Sequence, residues 1–292
     1  MGLVSKVTWL NNIPAKVFVL LGVMVWVGAY SLLAEPGAIE STSQTSIVDP
    51  ANRVLPRSFH TLPDFSQYPA GEARKSAFFN YLLPVVGYIN TEIATERNQL
   101  RQWREAFASQ KSLSAQQLDK IAALAEKYQV DEDSLEGQLA VLWRRVDTVP
   151  PSLALAQAAN ESAYGTSRFA VEANNLFGQW CFRQGCGLVP SARQEDASHE
   201  VRKFASPVAS VRSYMYNLNT NRAYASLRQL RSNLRRNNQA PSGPKLVETL
   251  LHYSSRGQDY VEELATMIRY NKLSEFDHQT KLLSGSQSAS QP

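Results

Sequence analysis

The chain has 292 residues, 43% of them hydrophobic, and a formal net charge of +4. That length allows one large or two modest domains, and that apolar content supports a buried core, so a disordered polymer is excluded. With two cysteines in all, and no second pair or histidine beside them, a zinc site is a poor reading, and no motif asks for a cofactor.

In chain order, residues 17–34 read VFVLLGVMVWVGAYSLLA, eighteen positions without a charge, preceded by Lys6 and Lys16. Such a run is just long enough to cross a bilayer as a helix, with its basic flank on the cytoplasmic side. The expectation is a membrane anchor over residues 1–34, with a cleaved secretory signal ending near VGA at 27–29 as the alternative. Residues 35–65 are rich in Ser, Thr and Pro and have no sustained periodicity, which reads as a linker.

From about residue 71 the pattern turns helical. EARKSAFFNYLLPVVGYINTEIATERNQLRQWREAF and SAQQLDKIAALAEKYQV place apolar residues three and four apart, and Pro84 is expected to kink or break the first of these helices. Ser114 with Gln117 three residues later is a capping-box signature for the second. A third helix is expected over 132–146, before Pro150 and Pro151 stop it and start the next. No internal repeat is present, and the tail 279–292 is of low complexity.

The helix beginning near Pro151 contains ALAQAANESAYG. Ala154, Gln157, Ala158 and Glu161 follow i, i+3, i+4, i+7 and share a face, where the small alanines leave room for a ligand beside the carboxyl. Glu161 also faces the negative end of the helix dipole, which disfavours its ionised form by some tenths of a kcal/mol up to about 1. Partial burial would raise its pKa further, as a general acid near neutral pH requires. On periodicity alone, a solvated surface glutamate is the commoner reading of such a position.

NESAYG followed by NNLFGQWC resembles the glucosaminidase family of peptidoglycan hydrolases. VRKFASPVASVRSYMYNLNTNRAYASLRQLR and YSSRGQDYVEELATMIRYNKL look like the Bax-type branch of that family, a set of membrane-associated bacterial proteins. The resemblance covers roughly residues 70–277. It implies a mainly α chain, with a lysozyme-like α+β domain and small β-lobe over 147–278, preceded by a helical segment 66–146 that packs on or covers it. It further implies hydrolysis of the β-1,4 bond after N-acetylglucosamine in peptidoglycan glycan strands, on the periplasmic side of the bacterial cytoplasmic membrane. Glu161 matches the family's acid position for position.

The family's second carboxylate belongs to the β-lobe after N-L-F-G, where this chain offers Glu195, Asp196 and Glu200. Glu200, in the partly alternating HEVRKF, is the first choice; an exposed strand carboxylate paired with Arg202 is the alternative. Tyr224 in NRAYASL matches the family tyrosine beside the catalytic centre. Phe177, Trp180 and Tyr260 could offer flat faces to sugar rings or could be packing, and Gly178 allows a tight turn near the groove. Cys181 and Cys186, five positions apart, can close a small loop in an oxidising compartment or remain free thiols.

Residues 201–240 hold eight Arg or Lys and no acid. No nucleic-acid recognition motif accompanies them, so attraction to anionic wall polymer or lipid headgroups, or a solvated basic face, is the expected use. Two competing functions share the same site. A lytic transglycosylase would cleave after N-acetylmuramic acid, and a wall-binding scaffold would not turn over.

Overall fold

The computed structural model describes residues 55–110, 112–191 and 199–277. The expected anchor, most of the expected linker, Glu195, Asp196 and the tail lie outside these residues. Among the described residues no helix is long and apolar enough to cross a membrane.

The first helix, α1, runs unbroken from Glu72–Gln110 over 39 residues with Pro84 inside it, so the expected break does not occur. Proline in a helix interior costs about 3 kcal/mol, because it removes one hydrogen bond and crowds the carbonyl four residues back. Here Pro84 and Asn80 lie on the solvent side, where water can satisfy the freed carbonyl. Leu82, Val85 and Val86 are fully buried around it. Each contributes about 1.5–3 kcal/mol by burial, which together outweighs the proline.

Three shorter helices follow. In α2 (Ala115–Lys127) the expected capping box forms, Ser114 accepting from the Gln117 backbone and Gln117 from the Ser114 backbone. Helix α3 (Leu135–Arg145) starts three residues later than its sequence pattern suggested, because the Ser134 side chain caps it. Helix α4 (Pro151–Ser162) begins with Pro151 in its first turn, as the sequence indicates.

After the short α5 (Arg168–Ala173) comes the small lobe, with strands β1 (Trp180–Cys181), β2 (Gly187–Leu188) and β3 (Glu200–Arg202). They form one antiparallel sheet in the order β1-β3-β2, with Trp180 opposite Val201 and Leu188 opposite the same valine. Cys181 and Cys186 are joined by a disulfide. The chain then continues through α6 (Pro207–Thr220), α7 (Ala225–Arg236), α8 (Gly243–Leu246) and α9 (Gln258–Tyr270).

Helix α4 lies at the centre: Leu153, Ala154, Leu155, Ala156 and Ala158 are all fully buried. Helices α1, α8 and α9 pack against it, and a single hydrophobic cluster joins the helical segment to the region that follows. Polar ties cross the same boundary. Asn90 on α1 exchanges two hydrogen bonds with the Val149 backbone, at 2.8 and 3.0 Å. Asp147 sits buried between arginines of α1 and α7, 2.6 Å from Arg235 and 3.6 Å from both Arg97 and Arg231. Burial pushes the Asp147 pKa up, but Arg231, Arg97 and Arg235 outweigh that and hold it below the ordinary carboxylate value.

The basic run 201–240 is only in part the solvated face expected of it: Arg202, Lys203, Arg222 and Arg236 are exposed, while others turn inward. Arg231 is fully buried and donates to Asn219 and to backbone carbonyls of 144, 145, 147 and 148. Arg228 is buried against the Leu218 and Asn221 carbonyls, and Arg212 pairs with Glu92 of α1. At the C-terminal end of the described chain, Asp277 accepts from the Ser152 and Gly243 backbones and the Ser152 hydroxyl, and so caps the start of α4.

Candidate active site

Glu161 is the penultimate residue of α4, and the turn after it is unusual. Ala163, Tyr164 and Gly165 have φ of 49°, 56° and 78°, three left-handed residues in succession. Such backbone is costly for residues with a Cβ, so the surroundings must hold it. Ser162 donates to the Ala158 carbonyl at 2.6 Å and accepts from the Gly165 amide at 2.8 Å. Tyr164 packs edge-on against Phe78 and Phe79 of α1. A Cβ on Gly165 would stand 2.5 Å from the Phe65 ring, so glycine is required there. Phe65, Phe78 and Phe79 of the helical segment thus brace the turn that follows Glu161.

From the other side the N-L-F-G turn approaches the carboxyl. Asn175 ties this turn together: its Oδ1 accepts from the Phe177 and Gln179 amides, and its Nδ2 donates to the Gln179 and Arg202 carbonyls. Gly178 follows with φ +62°, and a Cβ there would meet Glu161 Oε2 at 3.0 Å. Glycine is what lets the backbone come so close to the acid.

A chain of buried hydrogen bonds leads to the same carboxyl from within the core. Tyr214 of α6 donates to Gln157 Oε1 at 2.6 Å, and Gln157 Nε2 donates to the Tyr260 hydroxyl at 3.1 Å. Tyr260, on α9, in turn hydrogen-bonds Glu161. Because Gln157 and Glu161 are one helical turn apart, α4 presents both to the same tyrosine. Tyr253 stacks flat on Tyr260 with ring centroids 5.5 Å apart and donates to the Phe177 carbonyl at 2.9 Å. Tyr224 lies 5.9 Å from Tyr253, and burial pushes its phenol up to about 12 despite a hydrogen bond to Asn217.

These neighbours fix the electrostatics of Glu161. Burial is the main effect and raises its pKa above the ordinary 4.5; nearby Glu263 adds to the rise. Hydrogen bonds from Tyr260 and Asn160 and the charge of Arg256 oppose it without reversing the direction. The result is a partly exposed carboxyl, at a helix end, that holds its proton more strongly than a surface glutamate does. That is the condition for donating a proton to a leaving group.

The other candidates are distributed differently. Phe177 is 1% exposed and stacked on Tyr214 at 3.9 Å, so it has no face for a sugar and is packing. Tyr260 is likewise buried, and its hydroxyl serves Glu161, not a ligand. Tyr224 is also buried, within the tyrosine cluster. Trp180 is 48% exposed, edge-on to His199 at 4.5 Å, which leaves it as the accessible aromatic of the four.

Glu200 does lie on a short strand, as expected, but it is not the exposed carboxylate of the alternative reading. It is 4% exposed, and Arg202 lies over the Phe204 ring. Its two carboxylate oxygens accept from the Gly185 and Gly187 amides at 2.9 and 2.8 Å. A carboxylate engaged in this way holds the disulfide-closed loop in place and is poorly disposed to activate water. The sulfurs of Cys181 and Cys186 come within 4.8 Å of it and of each other. Joined in a disulfide, they offer no thiolate to a metal.

Sequence reasoning missed Gln157 as a link, together with Tyr214, Tyr253, Asn175 and the Arg256–Glu263 pair. A buried glutamine in an otherwise alanine- and leucine-lined helix, one turn before a glutamate, was the available signal for the first.

Comparison with known proteins bears on the same region. Residues 137–273 match the family model Glucosaminidase, described as mannosyl-glycoprotein endo-beta-N-acetylglucosaminidase. Protein bax of Escherichia coli (strain K12) is 32% identical over 214 residues, 73% of this chain and 75% of that relative. No solved structure matches.

Proposed function

The chain belongs to the glucosaminidase family, in its Bax-type branch, and from that premise we propose that it hydrolyses the β-1,4 bond after N-acetylglucosamine in peptidoglycan glycan strands, with Glu161 as general acid. The observation that carries this reading is the partly desolvated Glu161 carboxyl, held by Tyr260 and approached by the Gly178 backbone, in the last turn of α4. Glycosidic cleavage needs an acid for the leaving oxygen and stabilisation of an oxocarbenium-like centre. Glu161 supplies the first, and exposed Trp180, two residues after Gly178, offers a platform for a sugar ring.

The binding of Glu200 to its own loop favours a route without a second catalytic carboxylate from that strand. The acetamido group of the substrate then attacks its own anomeric carbon, and Glu161 protonates the leaving oxygen. The disulfide supports an extracytoplasmic site of action, with residues 17–34 as tether to the inner membrane.

The test is digestion of purified peptidoglycan by the full chain and by Glu161→Gln, with products reduced by borohydride and identified by mass. Fragments ending in reduced N-acetylglucosamine, absent with the variant, are the expected result. Anhydro-muramyl ends would assign a lytic transglycosylase that uses the same Glu161. A folded, wall-binding protein without products would be a scaffold.

A further inference from the structure

We propose that Tyr214 and Gln157 are positioning residues for Glu161: they fix the Tyr260 hydroxyl so that its proton points at the Glu161 carboxyl. This rests on the reading of Glu161 as the acid of a glycan-cleaving site and gives a role to two buried groups that never meet the glycan.

Gln157 and Tyr214 are both fully buried. A buried amide is costly unless both its ends are bonded, and Gln157 sits among Leu153, Ala154, Ala156 and Ala158, which offer it nothing. Its partners come from two other helices. Oε1 accepts from the Tyr214 hydroxyl of α6 at 2.6 Å, and Nε2 donates to the Tyr260 hydroxyl oxygen of α9 at 3.1 Å. The two ends of an amide are not interchangeable, since one only accepts and the other only donates. Turned over, the amide would set its N–H groups against the Tyr214 hydroxyl, whose bond to Gln157 is its only one among the described residues. A buried hydroxyl proton would then lack an acceptor. Tyr214 therefore sets the sense of the amide.

That sense carries one link further. Tyr260 receives an N–H on its oxygen, so its own proton is left for another acceptor, and Glu161 stands one helical turn beyond Gln157 on α4. Tyr260 and Glu161 are hydrogen-bonded, and Tyr253 stacked on the Tyr260 ring holds it in place. A hydrogen bond donated to a carboxylate favours its ionised form. When the Glu161 O–H gives its proton to the leaving glycosidic oxygen, the carboxylate that remains meets a donor already aimed at it. Tyr260 keeps its own proton, because burial holds its phenol well above the usual range. The charged groups facing Glu161 are Glu263 and Arg256, with Tyr224 and Tyr253 as neutral phenols, and the variants below change none of these.

The test titrates the Glu161 carboxyl by carbon NMR in the full chain, which needs no turnover, and follows peptidoglycan cleavage beside it. Tyr214→Phe keeps the ring that stacks on Phe177 and removes only the hydroxyl, two links away from the acid. Tyr260→Phe is expected to raise the Glu161 midpoint by about one to two pH units, as loss of one hydrogen bond to a charged group does, and Tyr214→Phe by less in the same direction. The double variant is expected to titrate as Tyr260→Phe does, because the effect of Tyr214 passes through Tyr260. In Tyr214→Phe, kcat is expected to fall with KM unchanged, and the alkaline limb of the rate to move up with the midpoint. Gln157→Met, close in volume and without either bond, is expected to shift the midpoint the same way and serves if Tyr214→Phe does not fold. A midpoint left in place by a folded variant of either residue, or moved equally by Tyr214→Phe when Tyr260→Phe is already present, overturns the proposal. The expected shifts in a chain that cleaves no peptidoglycan would support the positioning of Glu161 and remove the glycan-cleaving reading itself.

Discussion

At the scale of single residues, the site consists of a carboxyl and what surrounds it. Glu161 is kept from water by α4 and the tyrosine cluster, and its pKa is raised mainly for that reason. A group whose folded-state pKa is raised is fully accommodated below its unfolded value, near 4.5, and costs stability as pH rises through the folded value. Glu161→Gln is therefore expected to abolish turnover and to raise Tm at pH 7, with the gain vanishing as pH falls below about 4.5; thermal unfolding of both proteins across that range checks it. A variant less stable than the parent at pH 7 would contradict the burial argument. Glu161 and Gly178 were legible in the sequence because helix periodicity and a glycine turn are local signals. The Tyr214–Gln157–Tyr260 chain was not, since its links join residues 57 and 103 positions apart. The partners of Glu200 were illegible for the same reason: its strand was local, while the amides of Gly185 and Gly187 come to it only once the disulfide loop has folded.

Among the elements, α1 departs most from its sequence. Apolar spacing identified the helix, but the break at Pro84 was a local rule overridden by buried neighbours on both sides. Because Pro84 is exposed and its helix continues through it, Pro84→Ala is expected to stabilise the protein by about 1–3 kcal/mol and leave glycan turnover unchanged. Denaturant unfolding together with a wall-digestion assay measures both. A loss of stability would mean that the proline fits a bend on which the packing of α1 against α4 depends. The short strands of the β-lobe carried only a weak signal, as two- and three-residue strands must. Their pairing and the disulfide supply the order that their length cannot.

In the whole molecule, the helical segment and the family-matched region are one body. The match begins at residue 137, yet the core runs through α1, and Phe65, Phe78 and Phe79 brace the turn beside Glu161. Asp147 ties the two parts electrostatically, one carboxylate among three arginines, two of them from the run 201–240 that charge counting had assigned to the surface. Charge runs show sign but not depth, and burial of Arg228 and Arg231 could not be read from them. Asp147→Asn leaves those arginines without their counter-charge and is expected to cost about 3–5 kcal/mol in denaturant unfolding at pH 7. Since the Asp147 pKa is depressed, its contribution is present above 3.8 and is lost as pH falls through the folded value, so the penalty should shrink in acid.

The site converges on a Glu161 that holds its proton more firmly than a surface glutamate does, and one measurement tests that most directly. The Glu161 carboxyl would be titrated by carbon NMR in the full chain and compared with the pH dependence of glycan cleavage. A midpoint above 4.5, with the rate falling as that carboxyl loses its proton, is the expected result. A midpoint at or below 4.5, or a rate indifferent to the titration, would contradict the assignment of Glu161 as the general acid.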